Sequence, residues 1–347
     1  MTAISPADRA QPILAVEDLK VGFAAQGRTI SAVNGVSFSI SPGETLAIVG
    51  ESGSGKSTTG LAVMGLIERT RGTTISGAIR LRRKAGGECD VLQLPYRELR
   101  TVRGNDVAMI FQEPMSSLNP VYTIGAQIAE AIHLHRQASR AEALGTALSL
   151  LAELGISDPE KCLKSYPHQL SGGMRQRAMI AIALSCRPSL LIADEPTTAL
   201  DVTVQAQILD LLARIQQQTG MALVFITHNL GIVSEIADRT LVMYAGEVVE
   251  SVPASELFES PRMPYTAALL QSLPRLGADR EGAERLPVIP GSVPSPSALP
   301  PGCRFHPRCA HHVAQVCDVG HPILEPCAAD HWVRCYRWRD VWPEEAA

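Results

Sequence analysis

Gly50-Glu51-Ser52-Gly53-Ser54-Gly55-Lys56-Ser57 is the stretch on which the fold turns. It fits G-x-x-x-x-G-K-[ST], follows the apolar run TLAIV (Thr45–Val49) and leads into the helix-compatible TTGLAVMGLI (Thr58–Ile67). A strand before and a helix after are the context that gives the motif its meaning. Its glycines let backbone N–H groups curl round phosphate oxygens without side-chain clash. Lys56 is placed to neutralise the outer phosphates and Ser57 to ligate Mg²⁺, while the helix N-terminus adds favourable partial charge.

Outward from this loop, strand-like runs recur at ILAVEDLKV (from Ile13), VAMIF (ending at Phe111), LLIAD (ending at Asp194) and ALVFIT (ending at Thr227). TLAIV, LLIA and ALVFI are continuously apolar, as strands buried on both faces are. Helical stretches are expected at Gly125–Leu154 and Val202–Gln218. The alternation predicts an α/β fold around a parallel sheet. Leu81–Gly87 (LRRKAGG) reads as a loop. From Pro253 proline density rises, peaking in VIPGSVPSPSALPPG (Val288–Gly302), which is expected to be extended and poor in helix. There is no internal repeat, so a core to about residue 255 is followed by a compositionally distinct tail.

Composition narrows the class. In 347 residues, 46% are hydrophobic and 19% charged, which favours a packed globular protein over a disordered one. Lys+Arg number 31 against 35 Asp+Glu, and a net charge of −4 excludes a strongly basic chain living on nucleic-acid phosphates. The longest apolar candidate, Ala178–Ala193, is broken by Arg187 and Pro188, short of what a bilayer needs. The N-terminal MTAISPADRAQP lacks the pattern of a secretory signal. A soluble, cytosolic chain able to dock on a membrane complex is expected. Of eight cysteines, Cys89, Cys162 and Cys186 are scattered, while Cys303, Cys309, Cys317, Cys327 and Cys335 crowd the tail. In a reducing cytosol such crowding favours metal over disulfides.

Two further segments complete a phosphate chemistry. LLIADE (Leu190–Glu195) is an apolar strand ending in two carboxylates, with Asp194 placed to hold magnesium through water and Glu195 to polarise an attacking water. His228 follows the strand ALVFIT, where it is placed to sense the γ-phosphate. Leu170-Ser-Gly-Gly-Met-Arg-Gln-Arg177 puts Ser171, Gly172 and Gly173 ahead of a helical run, a second anion site at a helix start. Two phosphate-binding helix starts in one chain suggest two half-sites.

LSGGMRQR, lying shortly before LLIADEP, resembles the signature of ABC-type ATPases, and the resemblance covers residues 13–250. It implies a P-loop ABC-type α/β fold, with a RecA-like core, a helical subdomain at roughly residues 112–185 and a small Cys-rich C-terminal extension, divided as 1–255 and 256–347. It implies ATP and Mg²⁺ as ligands, bound between the phosphate loop of one subunit and the signature of another. ATP contacts would then come from Phe23 (stacking on adenine), Gly50 to Ser57, Thr58, Gln112, Ser171, Gly172, Gly173 and Asp201. Magnesium would be held by Ser57, Gln112 and Asp194. Gln112, in IFQEP, resembles the glutamine loop facing the membrane subunit; Asp201, in TTALD, the dimer-communicating aspartate; His228 the switch histidine, which with Glu195 makes up the catalytic pair. A phenylalanine on a strand is equally suited to the core, and Asn229 departs from the acidic residue often found there.

FQEPMSSLNP (Phe111–Pro120), SPRMPYTAALLQSLP (Ser260–Pro274) and the cysteine tail together resemble the ATPases of oligopeptide/dipeptide importers, a group that includes nickel and other peptide-like substrates. Met263 stands where that group usually has histidine. The resemblance implies two permease subunits, a second ATPase (a related chain or a copy), an extracytoplasmic solute-binding protein met indirectly, and a peripheral place on the cytoplasmic face of the cell membrane.

Five residues separate Cys303 from Cys309 and seven separate Cys309 from Cys317, neither a common zinc nor ferredoxin spacing. Spacing alone leaves zinc, iron–sulfur and plain thiols open, with His306, His311, His312 and His331 as rival ligands. The resemblance of PGCRFHPRC…C…VRCY to the importer tail implies a [4Fe–4S] cluster on Cys303, Cys309, Cys317 and Cys335, with Cys327 a spare thiol. Such a cluster would either staple the tail or serve as a redox sensor on the ATPase. The reading from another class, a soluble ABC ATPase acting on nucleic acid or ribosomes, is opposed by the acidic charge, the single phosphate loop and the lack of a basic aromatic-laced patch.

Overall fold

The computed structural model describes residues 11–25, 28–67, 72–113, 117–198, 201–273 and 288–342. Residues 1–10 of the N-terminal stretch, 114–116 within FQEPMSSLNP, Ala199 and Leu200 of TTALD, and Pro274 lie outside the described residues.

The apolar runs become adjacent strands. TLAIV forms β3 (Thr45–Val49), LLIAD β7 (Leu190–Asp194) and ALVFIT β8 (Ala222–Thr227), all buried along their length. With β6 (Val107–Ile110) and β9 (Arg239–Tyr244) they make a parallel core in the order β9-β3-β8-β7-β6. Continuous burial explains why these runs do not alternate with polar residues: helices or a second sheet cover both faces. The second sheet is antiparallel, ordered β2-β1-β4-β5 from β1 (Leu14–Ala25), β2 (Arg28–Ile40), β4 (Thr73–Arg82) and β5 (Glu88–Asp90). Val16, Leu19, Val33, Val36, Ile79 and Ile48 are among the apolar side chains filling the layer between the sheets.

Two sequence boundaries move. Leu81 and Arg82 complete β4, because Leu81, like Ile79, is fully buried; the turn is confined to Arg83–Gly87, closed by the Arg83 N–H on the Gly87 carbonyl at 2.9 Å. The Gly125–Leu154 stretch is two helices, α3 (Ile124–Arg136) and α4 (Arg140–Glu153). Gln137 ends the first in a left-handed conformation at φ 51. Ser139 starts the second with a capping box, its Oγ accepting from the Glu142 N–H at 3.3 Å while its own N–H donates to the Glu142 carboxylate at 2.8 Å. These helices pack with α6 (Gly172–Leu184) and α7 (Val202–Thr219) against the sheet through Ile128, Leu151, Ile180 and Leu212. Further helices among the described residues before β10 are α1 (Lys56–Val63), α2 (Tyr96–Val102), α5 (Pro159–Lys164) and α8 (Leu230–Ile236).

Beyond β10 (Glu247–Pro253) come α9 (Ala254–Leu257) and α10 (Pro264–Gln271), and the proline-rich Val288–Gly302 is free of helix, as expected. The tail then returns to the sheet. β12 (His331–Val333) pairs with β10 and β11 (Glu325–Ala328) pairs with β12, covering the edge that β10 otherwise leaves open. Helix α11 is Trp338–Val341. Tyr244 of β9, Tyr265 of α10 and Phe305 of the tail pack ring against ring at 4.7–5.3 Å, fastening the tail to the end of the sheet where the phosphate loop leaves it.

Candidate functional site

The loop between β3 and α1 needs glycine where its backbone is crowded. Gly50 lies at φ 149, where a Cβ would stand 2.2 Å from the Met243 carbonyl oxygen; at Gly55, φ 100, it would stand 2.5 Å from that of Ala32. The loop turns round its own lysine. Lys56 Nζ donates to the carbonyls of Gly50 at 2.8 Å and Glu51 at 3.0 Å. Burial pulls its ammonium below the ordinary value, against the attraction of Glu195, Asp194 and Glu51. Ser52, Gly53 and Ser57 are exposed, Ser54 is buried, and Thr58 is half-buried at the first turn of α1.

The ends of β7 and β8 deliver the remaining groups to this place. Ser57 Oγ donates to Asp194 Oδ1 at 3.0 Å, joining the loop to the neighbouring strand end. Burial raises the Asp194 carboxyl, more than the Ser57 hydrogen bond lowers it. Glu195 sits just past β7 at φ 47, a left-handed conformation unusual for glutamate, with its N–H donating to the Ile226 carbonyl at 2.9 Å. Three groups hold its carboxylate: Gln112 Nε2 at 3.0 Å, Thr198 Oγ1 at 2.9 Å and His228 Nδ1 at 3.1 Å. Burial alone would raise the Glu195 carboxyl; the hydrogen bonds from His228 and Thr198, with the charges of His228 and Lys56, hold it below its usual value. It is therefore ionised at neutral pH, the state in which a carboxylate accepts a proton.

Gln112, Asp194, Glu195 and His228 are thus brought together around the phosphate loop. The other expected contacts lie elsewhere. Ser171 is exposed and caps α6, accepting from the Met174 N–H at 3.3 Å; Gly172 and Gly173 form that helix's first turn. Asp201 caps α7, accepting from the Val204 N–H at 2.9 Å. Phe23 on β1 is 37% exposed, so it is not a core residue. Asn229 caps α8 through the Gly231 N–H at 3.0 Å. Sequence reading missed Thr198, for which its place three residues after Glu195 was the available signal. It also missed Tyr244, Tyr265 and Arg308, for which no motif speaks.

In the tail, Cys303, Cys309, Cys317 and Cys335 line one cavity, shared with Met263, Phe305 and His306 among others. Cys327 is not in that lining; its thiol donates to the His331 carbonyl at 3.4 Å. Burial pushes the Cys303 thiol up to about 11 and Cys335 to about 12, and raises Cys309. The Arg337 N–H donates to Cys335 Sγ at 3.4 Å. All eight cysteines are free, and among the described residues no three of His, Cys, Asp and Glu are gathered closely enough to hold a single metal ion. Nor is any described helix long and apolar enough to cross a membrane.

Residues 33–198 match the family model "ABC transporter" and residues 249–317 match "Oligopeptide/dipeptide transporter, C-terminal region". A putative peptide import ATP-binding protein of Brucella abortus (strain 2308) is 53% identical over 334 residues, covering 95% of this chain and 98% of that one. The oligopeptide transport ATP-binding protein AppD of Bacillus subtilis (strain 168) is 48% identical over 334 residues, covering 96% and 99%. Among solved structures, the dimeric ATP-binding cassette MJ0796 in a post-hydrolysis state bound to ADP and Pi superposes with a TM-score of 0.61 at 27% identity, over 70% of this chain and 98% of that one.

Proposed function

Because the chain belongs to the ATP-binding subunits of ABC-type peptide transporters, we propose that it hydrolyses ATP to power the import of oligopeptides or dipeptides across the cytoplasmic membrane. The observation that carries the chemistry is the convergence of Lys56, Ser57, Asp194, Glu195, Gln112 and His228 at the ends of adjacent parallel strands. Crevices at the carboxyl ends of such strands are where α/β proteins bind nucleotides.

The phosphate loop, residues 50–58, binds the triphosphate, with Phe23 stacking on adenine. Ser57 and Asp194, with Gln112, would hold Mg²⁺, which supplies charge to the phosphate oxygens when bound. Glu195 accepts the proton of the attacking water. Thr198, Gln112 and His228 orient its carboxylate, and His228, whose side chain is 60% exposed, reaches the γ-phosphate. Ser171, Gly172, Gly173 and Asp201 face outward from helix starts and act on the nucleotide of a second ATPase, a copy or a related chain; the dimeric MJ0796 structure supports this reading. ATP-driven closure of the pair moves two membrane permeases, which place this subunit peripherally on the cytoplasmic face, and a solute-binding protein delivers the peptide. Residues 1–255 form the ATPase unit, with the helical subdomain near 112–185, and residues 256–347 the extension. The relatives named for peptides favour a peptide over nickel as cargo.

We further propose that the tail binds an iron–sulfur group. What supports this reading is that the four thiols line one cavity and that a backbone N–H is directed at Cys335. Cys303, Cys309, Cys317 and Cys335 would hold a [4Fe–4S] cluster, whose positive charge would stabilise as thiolates the sulfurs that burial keeps protonated. Anaerobic purification with iron and sulfide assays tests this: the cluster reading expects about four of each per chain, lost in Cys335→Ser and kept in Cys327→Ser. Stoichiometric zinc without sulfide would overturn it.

The function itself is tested by affinity capture of tagged Glu195→Gln protein from gently solubilised membranes with ATP and Mg²⁺. Recovery of two multi-span permeases is the expected result. Recovery of ribosomes or nucleic acid instead would overturn the transport reading and leave only the ATP chemistry.

A further inference from the structure

Glu51, the second residue of the phosphate loop, places a carboxylate in a site that must receive a polyanion. Its charge acts on Lys56, so it is felt where the phosphates bind. The group answering it comes from the far end of the chain. Arg308 lies in the tail between Cys303 and Cys309 and grips both Glu51 oxygens, Nη1 to Oε2 at 2.6 Å and Nη2 to Oε1 at 3.0 Å. This two-pronged pairing fixes orientation as well as charge. The Arg308 side chain is 7% exposed and fully engaged: Nε donates to the Pro290 carbonyl at 2.9 Å, Nη1 also reaches the Tyr244 hydroxyl at 3.3 Å, and the guanidinium lies 5.8 Å from the Tyr244 ring centre. On the Glu51 backbone, the N–H donates to the Tyr265 hydroxyl at 2.9 Å.

A second arginine of the same tail segment works through an intermediary. Arg304 donates to the Ala245 carbonyl and pairs with Glu247 at 3.0 Å, holding the turn between β9 and β10. Gly246 of that turn donates to the Ser54 carbonyl at 2.9 Å. Both arginines thus brace the phosphate loop, one on a side chain and one through a backbone bond.

We infer that Arg308 is a positioning residue for nucleotide binding: it neutralises Glu51 and holds the first turn of the phosphate loop open to the triphosphate. The inference rests on the reading of residues 50–58 as the ATP site. Without Arg308, Glu51 is an uncompensated carboxylate beside the phosphates. ATP binding then suffers more than ADP binding, because ATP brings one more negative charge, while turnover at saturating ATP changes little because Glu195 and its partners are untouched.

The test measures ATP and ADP affinity of the full-length protein by equilibrium fluorescence, with KM and turnover alongside. In Arg308→Met, ATP affinity should fall about tenfold, ADP affinity less, with kcat within about twofold. Arg308→Lys, which keeps the charge but loses the second prong, should fall between the two. Adding Glu51→Gln to Arg308→Met should restore most of the lost ATP affinity, which a merely structural role of Arg308 would not allow. Wild-type ATP affinity in a folded Arg308→Met protein, or a double variant as weak as the single, overturns the inference. Should Arg308→Met fail to fold, Arg308→Lys decides: ATP and ADP affinities both equal to those of the wild type overturn the inference. Failure of the wild-type protein to bind ATP at all would instead overturn the reading of the loop.

Discussion

The nucleotide site and the cysteine cavity are assembled by opposite means. The first is built at the ends of β3, β7 and β8, which are hydrogen-bonded neighbours, so a short motif after each strand arrives beside the next by the sheet register alone. Its side chains satisfy one another: Ser57 with Asp194, and Glu195 with Gln112, Thr198 and His228. The cavity is built on largely irregular backbone between residues 303 and 335, where burial holds at least three thiols above their usual values. A site on a parallel sheet is organised by the backbone; a site on a short tail depends on what it packs against and on what it binds.

The sharpest way to break that contrast is at Glu195. If Glu195 is the proton acceptor proposed above, Glu195→Gln should lower turnover by about 10²–10³-fold while ATP still binds, because only that group is lost. Phosphate release against nucleotide affinity checks it, and thiol reactivity in the tail should be unaltered. A change there would mean that the two regions are one unit.

The junction offers the next effect. Phe305→Ala removes a ring that is 2% exposed between Tyr244 and Tyr265 and should cost about 3–5 kcal/mol of stability. Chemical denaturation measures it. Faster labelling of Cys303 and Cys309 at concentrations where the protein is still folded would show the tail loosening before the core. At the same junction, Tyr265→Phe leaves the ring but frees the Glu51 N–H, and a loss of about 1 kcal/mol is expected by the same method.

The smallest effect concerns pH. Buried His331 meets Glu250 at 2.8 Å, with Glu256 at 3.7 Å. Burial opposes its protonation, but the Cys327 and Glu250 partnerships outweigh this and raise it to about 9. A value raised in the folded state means stability that is fully present below about pH 6.5 and lost as pH rises through about 9. The thermal midpoint of the wild type should therefore fall across that window, and His331→Gln should flatten the slope. An unchanged slope would place the sensitivity elsewhere in the tail.

Much of the nucleotide half was legible in the sequence because its signals are local. Gly50, Gly55 and Lys56 announce a loop whose geometry few other residues tolerate, and Asp194, Glu195 and His228 each end an apolar run whose burial is written in its composition. The break at Gln137 was missed because its signal, the Ser139–Glu142 box, lies within an otherwise periodic helix pattern.

What the sequence by itself determined is which groups stand at the strand ends and helix starts: the glycine-rich loop with Lys56, the carboxylates of Asp194 and Glu195, His228, and the helix starts at Ser171 and Asp201. What only the tertiary structure decided is how distant segments meet. It put Cys335 on the cavity wall and left Cys327 bonded to a backbone carbonyl, although both are tail cysteines of similar surroundings in sequence. It brought Arg308 onto Glu51, two residues 257 positions apart with no motif in common. The physical reason is range. Backbone conformation and strand burial are fixed by neighbours in the chain, whereas a salt bridge or a shared cavity depends on the packing of every element between its members.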